Sequence, residues 1–533
     1  MKKNICYQVR NLAKAVALLT PIAILPLMTS CTESWLEVEK PDGETLEEYF
    51  TTPARIEESL VAAYDPIHWY DWGLGQYNAY NIDSDIMSDD FWVGGSDWTD
   101  MQHWHMIANF EADANNTLST LWTIDYSGVK RCNDCLRYIP WCTTLTAREA
   151  QLTEMQARTL RVFYYNNLWH LFGNIPFYLT NLNAPYTAPQ ITADEVYGQL
   201  IPELEAVIDS RVLPNRWDDQ NAGRTSQAFA VMLYAEMVAY QNDTERFGRA
   251  LGYLREFIIN SGEYELFPNF KDYWDTDNEW NKESIYEINY DQTKSERDWG
   301  TGQSVGGMVI PTLISPNSYG DDTWSNNDGW GFLPVRFDVR DELLKDDGRL
   351  EGTVWDLTDA TYTMRSDDTH LWLQKYRPYN KNYENGTSSP NLNYGNNYRM
   401  YRYSEALLYA AEFALRTGDA GAAKTYVDPV RQRAGIATAA AYTLDDILTE
   451  RHKEFVGEGK RYFDLVRAEL ITDQPVSNDN KASTRLVPTQ SDALSGVSYG
   501  RTKAWTAQKK YIPIAQAELD SDPALKQNSD YFN

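Results

Sequence analysis

Two blocks of helical periodicity bracket a long middle that lacks it, and this alternation restricts the chain more than any other feature. Thr146-Ala-Arg-Glu149 is a capping box, in which Thr146 can accept from a free backbone N–H while Glu149 reaches back. Apolar residues then recur at Leu152, Met155, Leu160, Phe163, Leu168 and Leu171 until Gly173 and Pro176 end the helix. Asp194 opens another, with Val196, Leu200, Leu204 and Ile208 on one face, and helices are predicted over 225–240 and 246–260. Toward the C-terminus, 404–417 reads as a helix ended by Gly418, and Asp419 caps a second that runs to Arg433 and stops at Gly435. Pro429 lies inside that second helix, where an interior proline costs about 3 kcal/mol, so a kink or a late start is expected. Short connections favour antiparallel pairs.

The middle is different. Residues 262–400 are dense in Asn, Asp, Gly, Tyr and Trp, with one strand-like run at 284–290 carrying Ile285, Tyr286, Ile288 and Tyr290. Residues 70–105 have the same character. Loops this long in a compact body are functional or disordered, and their aromatic content argues against disorder. Length alone would suggest about three domains, but no Gly/Ser- or Pro-rich linker divides the chain. The reading is one mainly α unit over 31–533. Helices are expected mainly over 45–70, 115–260 and 400–470, and a loop-rich ligand-binding portion over 70–112 and 262–400.

The N-terminus reads as an export signal, residues 1–30. Lys2, Lys3, Arg10 and Lys14 precede an uncharged apolar run, 15–28, too short to span a bilayer comfortably. Met28-Thr-Ser-Cys31 follows, resembling a lipoprotein cleavage site, so Cys31 is the expected lipidation point. Removing the signal takes four basic residues and no acid, moving the net charge from −29 to −33. Such a chain is a poor partner for nucleic acid. Cys132-Asn-Asp-Cys135 sits in a helical pattern with Cys142 nearby. Without a second CxxC it makes no zinc site, leaving buried thiols or a disulfide that an exported protein permits.

Several segments, in order, together resemble the SusD/RagB family of outer-membrane nutrient-binding lipoproteins. They are Arg158-Thr-Leu-Arg-Val-Phe-Tyr-Tyr with Leu171-Phe-Gly-Asn-Ile-Pro176; Gly223-Arg-Thr-Ser-Gln-Ala-Phe-Ala; and Tyr403-Ser-Glu-Ala-Leu-Leu-Tyr-Ala-Ala-Glu412 with Val430-Arg-Gln-Arg-Ala-Gly435. Glu450-Arg451 through Arg461-Tyr-Phe-Asp-Leu-Val-Arg467, and the tail Lys510-Tyr-Ile-Pro-Ile514 with Gln527-Asn528, complete them. Asn174 stands where the family's turn carries Asp. The resemblance implies a scaffold of tetratricopeptide-like helix pairs carrying an irregular, short-strand binding half. It implies a glycan ligand, a TonB-dependent outer-membrane transporter (SusC-like) that the lipoprotein caps, and a lipid-anchored place on the cell surface. It implies no catalysis and no cofactor. A surface glycoside hydrolase, or the same role with a peptide cargo, are the alternatives.

Arg158, Arg161, Arg451, Arg461 and Arg467 lie among apolar neighbours, with Glu450, Glu454, Glu458 and Asp464 available to pair with them, which makes these motif residues structural. The ligand site belongs in the aromatic loops, because sugars need flat exposed rings and polar groups for their hydroxyls. The chain has 18 Trp and 36 Tyr. Trp92 and Trp98 in the Asp- and Gly-rich 89–98 segment, then Trp299, Tyr319 and Trp324, are the candidates, while Trp330 in Gly329-Trp-Gly-Phe332 reads as packing. Asp83, Asp85, Asp89 and Asp90 form a solvated acidic turn or, alternatively, a calcium site. His103-Trp-His105 lacks an HExxH frame, and there is no GxSxG, P-loop or dinucleotide fingerprint.

Overall fold

The computed structural model describes residues 43–72, 76, 77, 79–294, 297–300, 304, 306–325, 328–383 and 389–532. The signal segment and Cys31 lie outside the described residues. Contacts divide the chain into a unit at residues 1–48, of which 43–48 are described, and a unit at residues 49–533.

In the larger unit each long helix packs on the next in sequence. Pro53–Tyr64 lies on Ser119–Tyr138, which lies on Ala147–Phe172; Ala193–Ser210, Gln227–Gln241 and Phe247–Leu254 continue the series. Phe247–Leu254 then meets Tyr403–Arg416, which packs on both Ala420–Arg433 and Leu444–Phe455. The helices begin where the side chains dictate: Thr146 with Glu149, Thr192 with Glu195 and Thr443 with Asp446 each close a capping box. Gln227–Gln241 is apolar on nearly every side and sits at the centre of the core. Among the described residues no helix is long and apolar enough to cross a membrane.

The expectation of a mainly α chain with few short strands holds, and the departures are local. The helix predicted over 246–260 is Phe247–Leu254 followed by a wider π turn, Arg255–Ile259. Pro429 neither delays nor divides its helix, which runs from the Asp419 cap through Ala420–Arg433. Its missing donor orphans the Thr425 carbonyl, and Thr425 is exposed, so water can satisfy it. The predicted strand is Ser284–Ile288, paired antiparallel with Tyr398–Arg402 with Ser284 opposite Arg402 and Ile288 opposite Tyr398. Val354–Asp356 with Leu371–Leu373, and Ile175–Pro176 with Gln190–Ile191, make two further short pairs. Cys132, Cys135 and Cys142 are buried free thiols.

The motif charges are paired, Arg451 and Arg467 with the expected Asp464 and the others with partners from elsewhere in the chain. Arg161 goes to Glu203 and to Asn133 Oδ1 at 2.7 Å, and Arg461 goes to Asp89 at 2.8 Å. Asp464 takes Arg451 and Arg467, and Arg467 also grips Glu412 through both terminal nitrogens. Glu454 and Glu458 serve Arg402 at the end of its strand. Arg402 also donates to Glu283 at 2.6 Å. Arg433 joins Glu283 and Glu454, Arg349 joins Asp347, Glu450 and Glu454, and Lys375 joins Glu458. Arg349 and Lys375 come from segments that the family motifs did not flag, and Arg402 stands directly before the Tyr403 motif.

Burial alone would raise these carboxyls. The guanidinium charges outweigh it and hold Asp89, Glu412, Glu454, Glu458 and Asp464 below the ordinary carboxylate range. Burial pushes Asp83, Asp85 and Asp125 the other way. A carboxyl with a depressed folded-state pKa contributes stability that is complete above its unfolded value and is lost as the pH falls from there through its folded-state value. The raised carboxyls do not oppose this below about pH 4, where they are protonated folded and unfolded alike. The thermal midpoint, followed by circular dichroism, should therefore fall steeply as pH drops below about 4; a midpoint unchanged down to about pH 2.5 would contradict the paired network.

Candidate functional site

The loop that follows Pro53–Tyr64 turns through a 3₁₀ segment, Asp65–Trp69, and delivers Asp71 into the interior. There Asp71 meets Arg297 in a two-pronged pair, Oδ1 with Nη2 and Oδ2 with Nη1, both at 2.7 Å. Arg297 also donates to the carbonyls of Trp72, at 2.8 Å, and Gly307, at 2.6 Å. Asp71 accepts in addition from the backbone N–H of Trp72 and of Val309, both at 2.8 Å. A fork of this kind matches carboxylate geometry, and with both ions about 2% exposed or less it needs every one of these bonds. It ties the 70–77 loop to the 297–309 loop. Gly307 allows the close approach, since a Cβ there would meet the backbone of Asn393 at 2.1 Å.

Above this pair four aromatic rings touch in a closed cycle. Trp72 and Trp299 meet edge to face at 5.8 Å, and Trp299 stacks on Trp330 at 5.7 Å with 25° between planes. Trp330 meets Tyr77 at 5.1 Å, and Tyr77 stacks back on Trp72 at 5.8 Å. Trp72 is the buried base, Tyr77 and Trp330 are half-buried, and Trp299 is 62% exposed. Trp330 is held by its own N–H donating to Thr312 O at 2.9 Å, with Gly331 N–H donating to Ser315 O. The 91–95 loop runs antiparallel beside the 331–335 segment, with Gly95 N–H donating to Gly331 O at 2.8 Å. Gly94 is required there, because its φ is +78° and a Cβ would meet Gly331 O at 2.3 Å.

Polar groups rim the rings. Arg365 donates to the Trp330 carbonyl at 2.9 Å and stands 3.8 Å from Asp100. Burial chiefly pushes the Tyr77 phenol up to about 12, so it keeps its proton and can donate. A flat exposed indole with donors and acceptors at its edge suits a sugar: its C–H face lies on the ring and its hydroxyls reach the rim. An enclosed cavity lies elsewhere, between Tyr80, His170, Glu236, Tyr240, Lys460 and Phe463. Its volume of about 40 Å³ suits a few waters and no sugar.

The sequence candidates scatter. Trp299 carries the exposed face. Trp98 is half-buried on the neighbouring loop, packed 4.9 Å from His105 and 5.5 Å from Tyr499. Burial lowers His103 and His105 to about 4, which leaves both neutral. Two candidates are corrected. Trp324 is fully buried, its Nε1 donating to Tyr394 Oη at 2.9 Å inside a small core with Trp355, Leu357, Trp372 and Tyr383. Trp92 is enclosed too, bonded to Asp492 at 2.6 Å beneath the Arg336 guanidinium. Neither ring has a face to offer: the loop-rich half builds a satellite core around Trp324, and Arg336 and Asp492 close over Trp92. Tyr319 leans on that core at Trp355 and Tyr362 and bonds Asp321. Sequence reasoning passed over Trp72 and Tyr77 and assigned Trp330 to packing; their signal was the Trp69-Tyr-Asp-Trp72 cluster inside a segment already read as a binding loop. The four aspartates do not converge: Asp85 accepts from Gly459 N–H, Asp89 faces Arg461, and among the described residues only Asp89 and Asp90 come within one ion's reach of each other, together with His452.

Comparison with known proteins gives consistent findings. The model of the SusD family matches residues 345–531, and a SusD-like model described as starch-binding associating with outer membrane matches 34–236. A solved structure of surface glycan-binding protein A from Bacteroides uniformis is 58% identical, covering 90% of this chain and 100% of that one, with a TM-score of 0.82. The protein of the same name from Bacteroides thetaiotaomicron, solved in complex with laminarihexaose, is 44% identical with 90% and 100% coverage and a TM-score of 0.82. A laminarin-binding SusD-like protein is 26% identical with 90% and 99% coverage and a TM-score of 0.77.

If Asp71 and Arg297 hold the platform, Asp71→Ala leaves a buried guanidinium unpaired, at a cost of about 3–5 kcal/mol. It should also weaken the near-ultraviolet circular dichroism of the packed tryptophans. A stability loss under about 1 kcal/mol in denaturant titration, with that spectrum intact, would show that the pair does not hold the rings.

Proposed function

The chain belongs to the SusD family, and on that premise we propose that it binds a laminarin-type glucan at the cell surface on the Trp299 platform and delivers it to a partner TonB-dependent outer-membrane transporter. The observation that carries this reading is the open face of Trp299, backed by Trp330 and Trp72. The glucan class follows from the laminarihexaose and laminarin ligands of the two relatives, which span nearly the whole of the larger unit. Trp98, on the loop beside the 331–335 segment, is a second contact at the rim. Cys31 supplies the tether: lipid on that residue keeps the receptor beside its transporter and raises the local concentration without adding contacts. The role is binding without turnover. Asp71, the carboxylate at the base of the rings, has both oxygens committed to Arg297 and is in no position to move a proton.

Calorimetric titration with laminarihexaose tests this. Trp299→Ala and Trp330→Ala should each weaken binding at least tenfold, about 1.4 kcal/mol, while Trp324→Phe leaves it unchanged. Unchanged affinity in Trp299→Ala, or release of new reducing ends from laminarin by the unaltered protein, would overturn the reading.

A further inference from the structure

A second cleft, of about 310 Å³, opens beside Leu444–Phe455, with Val339, Arg461, Asn480 and Arg485 on its walls. Its charge is uneven. Asp89, Asp90, Asp338, Glu342, Asp445 and Asp479 line it against three permanent cations, Lys453, Arg461 and Arg485. Two of the carboxylates are under-satisfied. Asp90 is 1% exposed; its Oδ1 lies 2.7 Å from His452 Nε2, and its Oδ2 has no hydrogen-bond partner in the protein. Asp338 Oδ1 has none either, with the Arg336 guanidinium no nearer than 3.7 Å. A buried carboxylate oxygen without a donor is costly, and a cation is what such an oxygen accepts.

We infer that Asp90 and His452, with Asp89 beside them, form a binding site for a divalent cation of the zinc or manganese type. One atom from each of the three lies within 4.8 Å of the others. Ligands about 2.0–2.2 Å from one ion stand roughly 3–4 Å apart, so the side chains need move little. Asp90 contributes a carboxylate oxygen and His452 its Nε2, which gives up its 2.7 Å bond to Asp90 Oδ1 and leaves the ring proton on Nδ1 when the ion binds. The imidazole decides the class of ion: calcium and magnesium take oxygen ligands, whereas a mixed nitrogen and carboxylate set suits zinc-type ions. Asp89 is the contested member. Arg461 holds it at 2.8 and 3.1 Å from the buried side, and Arg485 holds Oδ2 at 2.6 Å. The Arg485 side chain is 34% exposed and can swing into solvent, leaving Oδ2 only its longer 3.1 Å bond to Arg461 and a lone pair for the ion. Lys453 points its ammonium toward Asp347, 3.7 Å away. Arg485 is therefore the guanidinium that competes with the ion.

The test uses the full mature chain without an affinity tag, stripped with chelator and titrated calorimetrically with zinc chloride and, separately, manganese chloride. One ion should bind per chain. Asp90→Asn and His452→Gln should each weaken binding at least tenfold, and Arg485→Gln should tighten it severalfold by removing the competing charge. Unfolding midpoints of each metal-free variant confirm that it is folded. No saturable binding up to about 1 mM of either ion, binding indifferent to Asp90→Asn and His452→Gln, or weaker binding in Arg485→Gln would each overturn the site. Arg485→Gln alters a partly exposed side chain, so it decides the matter even if the buried variants fail to fold.

Discussion

The guanidinium of Arg402 joins the two halves of the larger unit. It ends the strand Tyr398–Arg402, and its donors reach Glu283 from the loop-rich half and Glu454 and Glu458 from the C-terminal scaffold. Arg433 and Arg349 close the same group from two further segments. Buried ion pairs of this kind add little net stability over well-packed apolar residues, but breaking one costs about 3–5 kcal/mol. The network's effect is on uniqueness. Any slip of Ser284–Ile288 along Tyr398–Arg402, or any rotation of Leu444–Phe455, would strand a charge in the core.

From that junction the path to the rings is short. The strand that ends at Arg402 begins just after Asn393 and Tyr394. Tyr394 and Met308 exchange backbone hydrogen bonds at 2.7 and 3.1 Å. Asn393 donates to the Arg297 carbonyl at 2.9 Å and accepts from Gly307 N–H. Arg297 then grips Asp71 and the backbone of Trp72. The aromatic cycle thus stands on loops, but those loops are bonded at nearly every step to a strand anchored in the scaffold. A platform ordered before its ligand arrives spares the entropy of ordering it on binding, which is how a shallow ring face can hold a flexible oligosaccharide.

What could be read from the sequence followed period and punctuation. Thr146, Glu149, Gly173, Asp419 and Gly435 marked helix ends that the structure keeps, because capping is local chemistry. The late start expected at Pro429 did not occur, and the carbonyl its ring orphans belongs to the exposed Thr425, which water can reach. The charge partners were half legible. That the motif arginines would be paired followed from their apolar surroundings; that Glu203, Asp89 and Glu412 would take them could not, because those contacts close over long stretches of chain. The aromatic loops could be read as the candidate binding half, but which rings face outward was hidden. Trp324 and Trp299 sit in loops of similar composition, one at 0% and the other at 62% exposure, and only the tertiary path of the 297–309 and 320–330 segments separates them.

The central claim is that one exposed indole, braced by three aromatic neighbours over the Arg297–Asp71 pair, is where the glycan sits. A crystal structure of the chain grown with laminarihexaose tests it most directly. The account predicts a sugar ring lying parallel to the outer face of Trp299 at about 4 Å, hydroxyls reaching the Asp100 and Arg365 rim, and the Arg297–Asp71 pair unchanged. Sugar seated against other residues, with the Trp299 face left to solvent, would contradict it.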